Sequence, residues 1–323
     1  MKTVSAAAFL LTLLAFSSTS YAAEQIKRNF QDAEVDSDYK HDFEPLTNNH
    51  GTHVLIDRFH KTIHTEEGYA TGAHVMLDIM ERDGFSVEYA DTKLEYDLIT
   101  EADILIIHGL PNDEIELDNG GVFWKSPLSD TELDAIVRWV DQGGGLYVSL
   151  SHFPGGSGAL PLLEAFAVKF RDGYIYSKEY PSFTDPKDGR CSHYFGMSRK
   201  DSTLNGEHPI IKNGLQVNKV DYHCGAGIFR NPENVVLQFP PGSENFNKDD
   251  SISEKSDHYA GMIGFDYGKG KVVIAADQGM FRDFIFTFDT GDQVYVTITG
   301  PDNDNANLFI NMMRWLSPKI SMP

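Results

Sequence analysis

The sequence predicts an α/β protein built in three layers, with a mainly parallel sheet covered by helices on both sides and β-hairpins added to it. Three observations carry that expectation. Apolar runs without alternation recur at Val54-Leu55-Ile56, Ile104-Leu105-Ile106-Ile107 and Leu146 to Leu150, as strands buried on both faces require. Segments with apolar residues at helical spacing separate them, and such alternation with short connections favours right-handed crossovers. The stretch Asp141-Gln142-Gly143-Gly144-Gly145, Leu146 to Leu150, then Ser151-His152-Phe153-Pro154-Gly155-Gly156 reads as helix end, buried strand and glycine-flanked turn.

The N-terminus carries Lys2, an apolar run from Ala6 to Phe16 and the small residues leading to Ala22, the pattern of a signal peptide cut after Ala22. That run is too short to cross a ~30 Å hydrocarbon layer comfortably, so a retained anchor is the weaker reading. No later segment is long and apolar enough to span a bilayer, so a periplasmic or secreted mature chain without stable membrane insertion is expected. Removing residues 1–22 leaves roughly 300 residues, enough for one elaborated domain with a substantial core. Residues 23–50 are polar and acidic (Asp32, Glu34, Asp36, Asp38, Asp42, Glu44) and are expected to form a flexible or surface-laid arm. The domain proper then spans 51–318.

The first strand, Val54 to Ile56, exits into Asp57-Arg58-Phe59-His60. Thr65 can cap a helix with Glu66 and Glu67 in its first turn; Tyr69, Ala73, Met76, Leu77 and Met80 share a face, and Asp83-Gly84 stops it. Phe85 to Tyr89 is the second strand and Ile104 to Ile107 the third, ending in His108-Gly109-Leu110-Pro111. Ser129-Asp130-Thr131-Glu132 is a capping-box signature opening a helix with Leu133, Ile136, Val137 and Val140 on one face. The triple glycine ends it before the fourth strand. Leu160 to Phe166 reads as a helix with Pro161 in its first turn. Residues 171–258 are rich in turn residues and charge and are read as an irregular elaboration. Met262 to Tyr267 and Lys271 to Ala276 form a predicted hairpin through Gly268-Lys269-Gly270; Phe284 to Phe288 and Val294 to Ile298 form another; Ala306, Phe309, Ile310, Met313 and Leu316 mark a closing helix.

Twenty-seven basic against 48 acidic residues give a formal charge of −21. That balance excludes sequence-independent binding to nucleic acid or anionic lipid, which needs basic patches, and leaves a small molecule or a protein as the expected partner. In an exported chain the two cysteines, Cys191 and Cys224, allow one intramolecular disulfide, worth roughly 3 to 4 kcal/mol in the loop-entropy account. Two free thiols, or a redox or metal pair, are the rival readings, and neither cysteine lies in a Cys-x-x-Cys motif.

Ligands of open parallel sheets bind beyond the strand carboxyl ends. His60, His108 and His152 follow the first, third and fourth strands, with His64 a little beyond, and a 2-1-3-4 strand order would make those three strands neighbours. One reading is a zinc-like site on His60, His108 and His152, completed by Asp57 or water, although no His-Glu-x-x-His motif supports it. Another makes Ser151 a nucleophile with His152 or His60 as base, with Ser149 an alternative position and no Gly-x-Ser-x-Gly. A third treats His60, His108, Ser151 and His152, joined by Asp277 and Gln278, as the polar lining of a ligand cleft. Asp277 can equally stabilise a strand exit through side-chain to backbone bonds. Glu207-His208-Pro209 reads as a turn before Ile210. Phe284, Phe286 and Phe288 offer either a stacking surface or one packed strand face.

Asp57-Arg58-Phe59-His60, Leu128 to Glu132 running into Trp139-Val140, Gly143-Gly144-Gly145-Leu146, and Ser151 to Gly156 resemble, in this order, the exported bacterial branch of the class I glutamine amidotransferase-like superfamily. His208-Pro209-Ile210, Gly268 to Val273 and Asn307 to Leu316 continue the likeness, which covers roughly residues 50–317. The resemblance implies a flavodoxin-like sandwich without the amidotransferase reaction. The catalytic members place a cysteine on the turn after a strand, with histidine and glutamate from a later one. Here that turn carries Ser151 and His152, and neither Cys191 nor Cys224 is in the matching place. Trehalose-utilisation-type proteins share the fold. The expectation is therefore a binding protein using the strand-end cleft, without a cofactor, and the alternative is a metal-dependent or Ser/His hydrolase in the same cleft.

Overall fold

The computed structural model describes residues 30–36, 38–46, 51–62, 72–111, 113–116, 122–152, 156–177, 194–223, 225–246, 252–255 and 258–321. The expected signal peptide, the expected helix start at Thr65 and both cysteines of the expected disulfide lie outside these residues. In chain order the first half contains β1 (Phe30–Val35), β2 (His53–Asp57), α1 (His74–Arg82), β3 (Ser86–Ala90), α2 (Tyr96–Ile99), β4 (Ile104–His108), β5 (Asp113–Glu116), β6 (Val122–Lys125), α3 (Asp130–Asp141) and β7 (Gly145–Ser149). There follow α4 (Leu160–Ala165), β8 (Lys169–Arg171), β9 (Tyr174–Tyr176), β10 (Tyr194–Ser198), α5 (Pro209–Lys212), β11 (Lys219–His223), β12 (Gly227–Phe229) and β13 (Val235–Gln238). The chain closes with β14 (Glu244–Phe246), β15 (Ile252–Lys255), β16 (Ala260–Tyr267), β17 (Gly270–Ala275), β18 (Asp283–Phe288), β19 (Gln293–Thr297) and α6 (Asn305–Leu316).

The central sheet runs β3-β2-β4-β7-β17-β16-β12-β8, with β13 also paired to β16. Its first five strands are parallel, and β16, β12 and β8 continue it antiparallel. The first four predicted strands thus stand in the order second, first, third, fourth. The β16–β17 hairpin joins the sheet because β17 lies parallel to β7 in register, Lys271 against Gly145 through Ala275 against Ser149.

Because successive strand residues point to opposite faces, the apolar runs split into two cores. Val54, Ile56, Ile104, Ile106, Tyr147, Val273 and Ala275 pack beneath α1 and α6. Leu55, Leu105, Ile107, Leu146, Val148, Val272 and Ile274 pack with Ile136, Trp139 and Val140 of α3 and Leu162 and Leu163 of α4. This is a three-layer flavodoxin-like α/β sandwich. The triple glycine has two physical causes: Gly143 sits at φ +129°, and a Cβ on Gly145 would come 2.4 Å from the Leu316 carbonyl, where α6 ends against the sheet.

Two segments differ from expectation. Within the expected arm, Phe30–Val35 is a strand that pairs antiparallel with β18 and completes a three-stranded sheet with β19. Residues 41–46 lie on the body: Arg82 Nη2 donates to the His41 carbonyl at 2.8 Å, Arg314 Nη2 to the Glu44 carbonyl at 3.2 Å, and Leu46 N–H to Asp83 at 2.9 Å. Residues 171–258, expected to be irregular, hold short strands from β9 to β15, three of them in a small sheet ordered β15-β14-β9. Strands of three to five residues are too short for alternation to register as a period.

Candidate functional site

Four of the five parallel strands, β2, β4, β7 and β17, deliver buried polar groups to the carboxyl edge of the sheet. Asp57 ends β2 on the α3 face, the same side as Leu55, and is fully buried. His60, in the exit loop, places Nδ1 3.0 Å from Asp57 Oδ2 and Nε2 3.1 Å from Glu132 Oε1. The second contact is at ion-pair distance without a fully aligned hydrogen bond. Glu132 lies in the first turn of α3, accepting from Ser129 N–H at 3.0 Å and from its hydroxyl at 2.6 Å, the carboxylate half of the predicted capping box. Burial works against a charge on the His60 ring, but the hydrogen bond and field of Asp57, joined by those of Glu132, outweigh it and raise its pKa. Both ring nitrogens face carboxylates, an arrangement that favours the imidazolium form.

The opposite face of the same edge is different. His108 ends β4 fully buried, with Nε2–H donating to the Gln278 carbonyl at 2.9 Å, which fixes a proton on that nitrogen. Its ring lies 6.1 Å from Tyr147. The Tyr147 and Ser149 hydroxyls of β7 are buried next to each other within the field of Asp277, and apart from each other neither meets a well-aligned partner among the described residues. Asp277 follows β17 and accepts from Gly279 N–H at 2.7 Å and His223 N–H at 2.8 Å. Burial nevertheless pushes its pKa up to about 7. Burial drives the Tyr147 hydroxyl in the same direction.

The structure therefore separates the residues that the sequence groups together. His60 belongs to the α3 face and His108 to the α1/α6 face. His152, on the turn after β7, stacks on Tyr174 at 4.4 Å with rings 19° apart. Among the described residues no three His, Cys, Asp or Glu side chains are arranged to hold a metal ion, so the expected His60–His108–His152 set does not converge. Ser151 is buried and makes no side-chain hydrogen bond to a histidine among the described residues. Asp277 stabilises its strand exit through backbone N–H groups, and Gln278 contributes its carbonyl. His208 accepts from Ile210 N–H through Nδ1 at 3.3 Å and donates through Nε2 to the Gly264 carbonyl at 3.1 Å, capping α5. Phe284 and Phe288 are buried and Phe286 is partly so, a packed strand face.

The pairing of Glu132 with His60 and the role of Tyr147 escape sequence reasoning. Glu132 was visible only as part of a cap, and Tyr147 only as part of a buried strand.

No family model and no curated protein matches the chain. Solved structures do. The chain is similar to the structure described as "mmIFT52 N-terminal domain", with TM-score 0.53 and 14% identity over 82% of this chain and 97% of that one. It is also similar to a thua-like protein from Bacteroides uniformis, with TM-score 0.41 and 13% identity over 87% of this chain and 98% of that one. A thua-like protein from Parabacteroides merdae gives TM-score 0.40 and 15% identity over 87% and 92%. At these identities the likeness is one of fold. No helix among the described residues is long and apolar enough to cross a membrane.

Proposed function

We propose that this chain is an exported member of the class I glutamine amidotransferase-like superfamily that lacks amidotransferase activity and binds a small ligand or protein partner at the carboxyl edge of its parallel sheet. One observation carries the reading. Two buried hydroxyls, Tyr147 and Ser149, stand beside Asp277 with hydrogen-bonding capacity that no other aligned group among the described residues uses. Buried polar groups are otherwise almost always satisfied, so these are the groups that a ligand's polar end would meet. Asp277, half-neutral near neutral pH, can donate or accept toward the same ligand.

The hydrolase alternative finds less support, because among the described residues no imidazole hydrogen-bonds Ser151, and His60 is engaged by Asp57 and Glu132. The test is ligand-observed NMR of the purified chain against small-molecule and peptide mixtures, repeated with Ser149→Ala and Asp277→Asn, beside an assay for glutamate release from glutamine. Binding weakened in both variants with no glutamate formed is the expected result. Glutamate production abolished by Ser151→Ala would refute it, as would binding indifferent to both variants.

A further inference from the structure

Glu132 does more than cap α3. Its Oε1 also accepts from Leu94 N–H at 2.9 Å, in the loop between β3 and α2. On either side of Leu94, Lys93 and Glu95 join Tyr96, Thr131, Asp134 and Arg138 around a groove of about 670 Å³ between α2 and α3, and Glu132 forms part of its wall. Behind that wall His60 connects Glu132 to Asp57, and the Thr62 hydroxyl donates to the Asp57 carbonyl. One imidazole thereby joins the exit loop of β2, the loop before α2 and the start of α3. The same exit loop carries Phe59, 44% exposed and edge-on to His60 at 5.1 Å.

We propose that His60 is a pH-operated latch on this groove: protonated, it bolts the β2 exit loop to the groove wall at Glu132, and on losing its proton it releases the loop. The charges facing the ring are Asp57 from β2 and Glu132 from α3. On the groove side stand Lys93 and Glu95 from the loop before α2, and Asp134 and Arg138 from α3. Arg58, in the same exit loop, is held by Asp91 at 2.6 Å. Without the imidazolium, two buried carboxylates flank a neutral ring and repel each other, and hydrating them requires the loop to lift. The closed latch holds its proton more tightly than an open, solvated ring. Opening therefore becomes easier as pH rises from the ordinary histidine value toward the titration point of the closed state, and levels off above it.

Hydrogen exchange of the full chain, resolved for peptides covering residues 58–62 and 129–133, tests this independently of any ligand. After correction for intrinsic exchange, opening of both segments is expected to rise about tenfold per pH unit above about pH 6.5 before flattening, while β7 stays protected. His60→Gln is expected to open both segments at every pH, with no rise. Should that variant fail to fold, Glu132→Gln removes one charge, keeps one amide oxygen as acceptor for Ser129 at the helix cap while giving up the Leu94 bond, and is expected to move the plateau to lower pH. Corrected opening that stays flat across the range in the unmodified chain overturns the latch. So does a rise that persists unchanged in either variant.

Discussion

The two faces of one sheet edge carry polar clusters that are satisfied in opposite ways. On the α3 face, Asp57 and Glu132 close on the two ring nitrogens of His60, with Glu132 Oε1 also accepting from Leu94 and Oε2 from Ser129. On the α1/α6 face, Tyr147, Ser149 and Asp277 are equally buried, but apart from each other the two hydroxyls have no aligned partner among the described residues, and burial pushes the carboxyl toward its neutral form. The charged cluster is a joint, and the neutral one retains capacity for something else. Burial and polarity alone do not separate the two clusters; the facing of an imidazole by carboxylates on both sides does.

The contrast can be broken most forcefully at His60. Its replacement by alanine strands two buried carboxylates and is expected to destabilise the fold by about 3–5 kcal/mol, read by urea unfolding near neutral pH. A cost below about 1 kcal/mol would mean that the node is not ionic. The pH profile of stability sharpens the comparison next. Burial raises the folded pKa of Asp277, so its contribution is complete below the unfolded value near pH 4 and lost as pH rises to about 7. His60 is raised as well, so its contribution is complete below about 6.5 and lost only above that. Asp277→Asn is expected to reduce the downward slope of the lower window by up to about 1.4 kcal/mol per pH unit while leaving the upper window intact. Equal slopes in both proteins would show that Asp277 titrates normally.

Smaller effects follow at the edges of the two clusters. Ser129→Ala removes a hydroxyl bond to Glu132 and a helix cap, an expected loss of about 1 kcal/mol by thermal unfolding. Tyr147→Phe should do the reverse, because deleting an unsatisfied buried hydroxyl is neutral or stabilising by up to about 1 kcal/mol. A clear destabilisation there would reveal that the hydroxyl is already well bonded, and the two faces would then be alike.

Much of the scaffold was legible before any coordinates. Val54 to Ile56, Ile104 to Ile107 and Leu146 to Leu150 announce buried strands because each run must be apolar on both faces, and Gly268-Lys269-Gly270 announces a turn. The short strands between residues 171 and 258, and the pairing of Phe30–Val35 with β18, were not legible: three to six residues hold too little pattern, and their partners lie far along the chain. The candidate site was half legible. The strand-end positions of His60, His108 and Asp277 follow from element order, but what each side chain meets does not.

By itself, then, the sequence determined the parallel strands of the main sheet, the principal helices over them and the edge at which polar groups collect, since hydrophobic periodicity and turn chemistry act over a few residues. Only the tertiary structure decided that His60 turns toward Glu132 and His108 toward Gln278, on opposite faces. Side chains alternate across a strand, and the helix or loop that covers each face is chosen by the path of the whole chain.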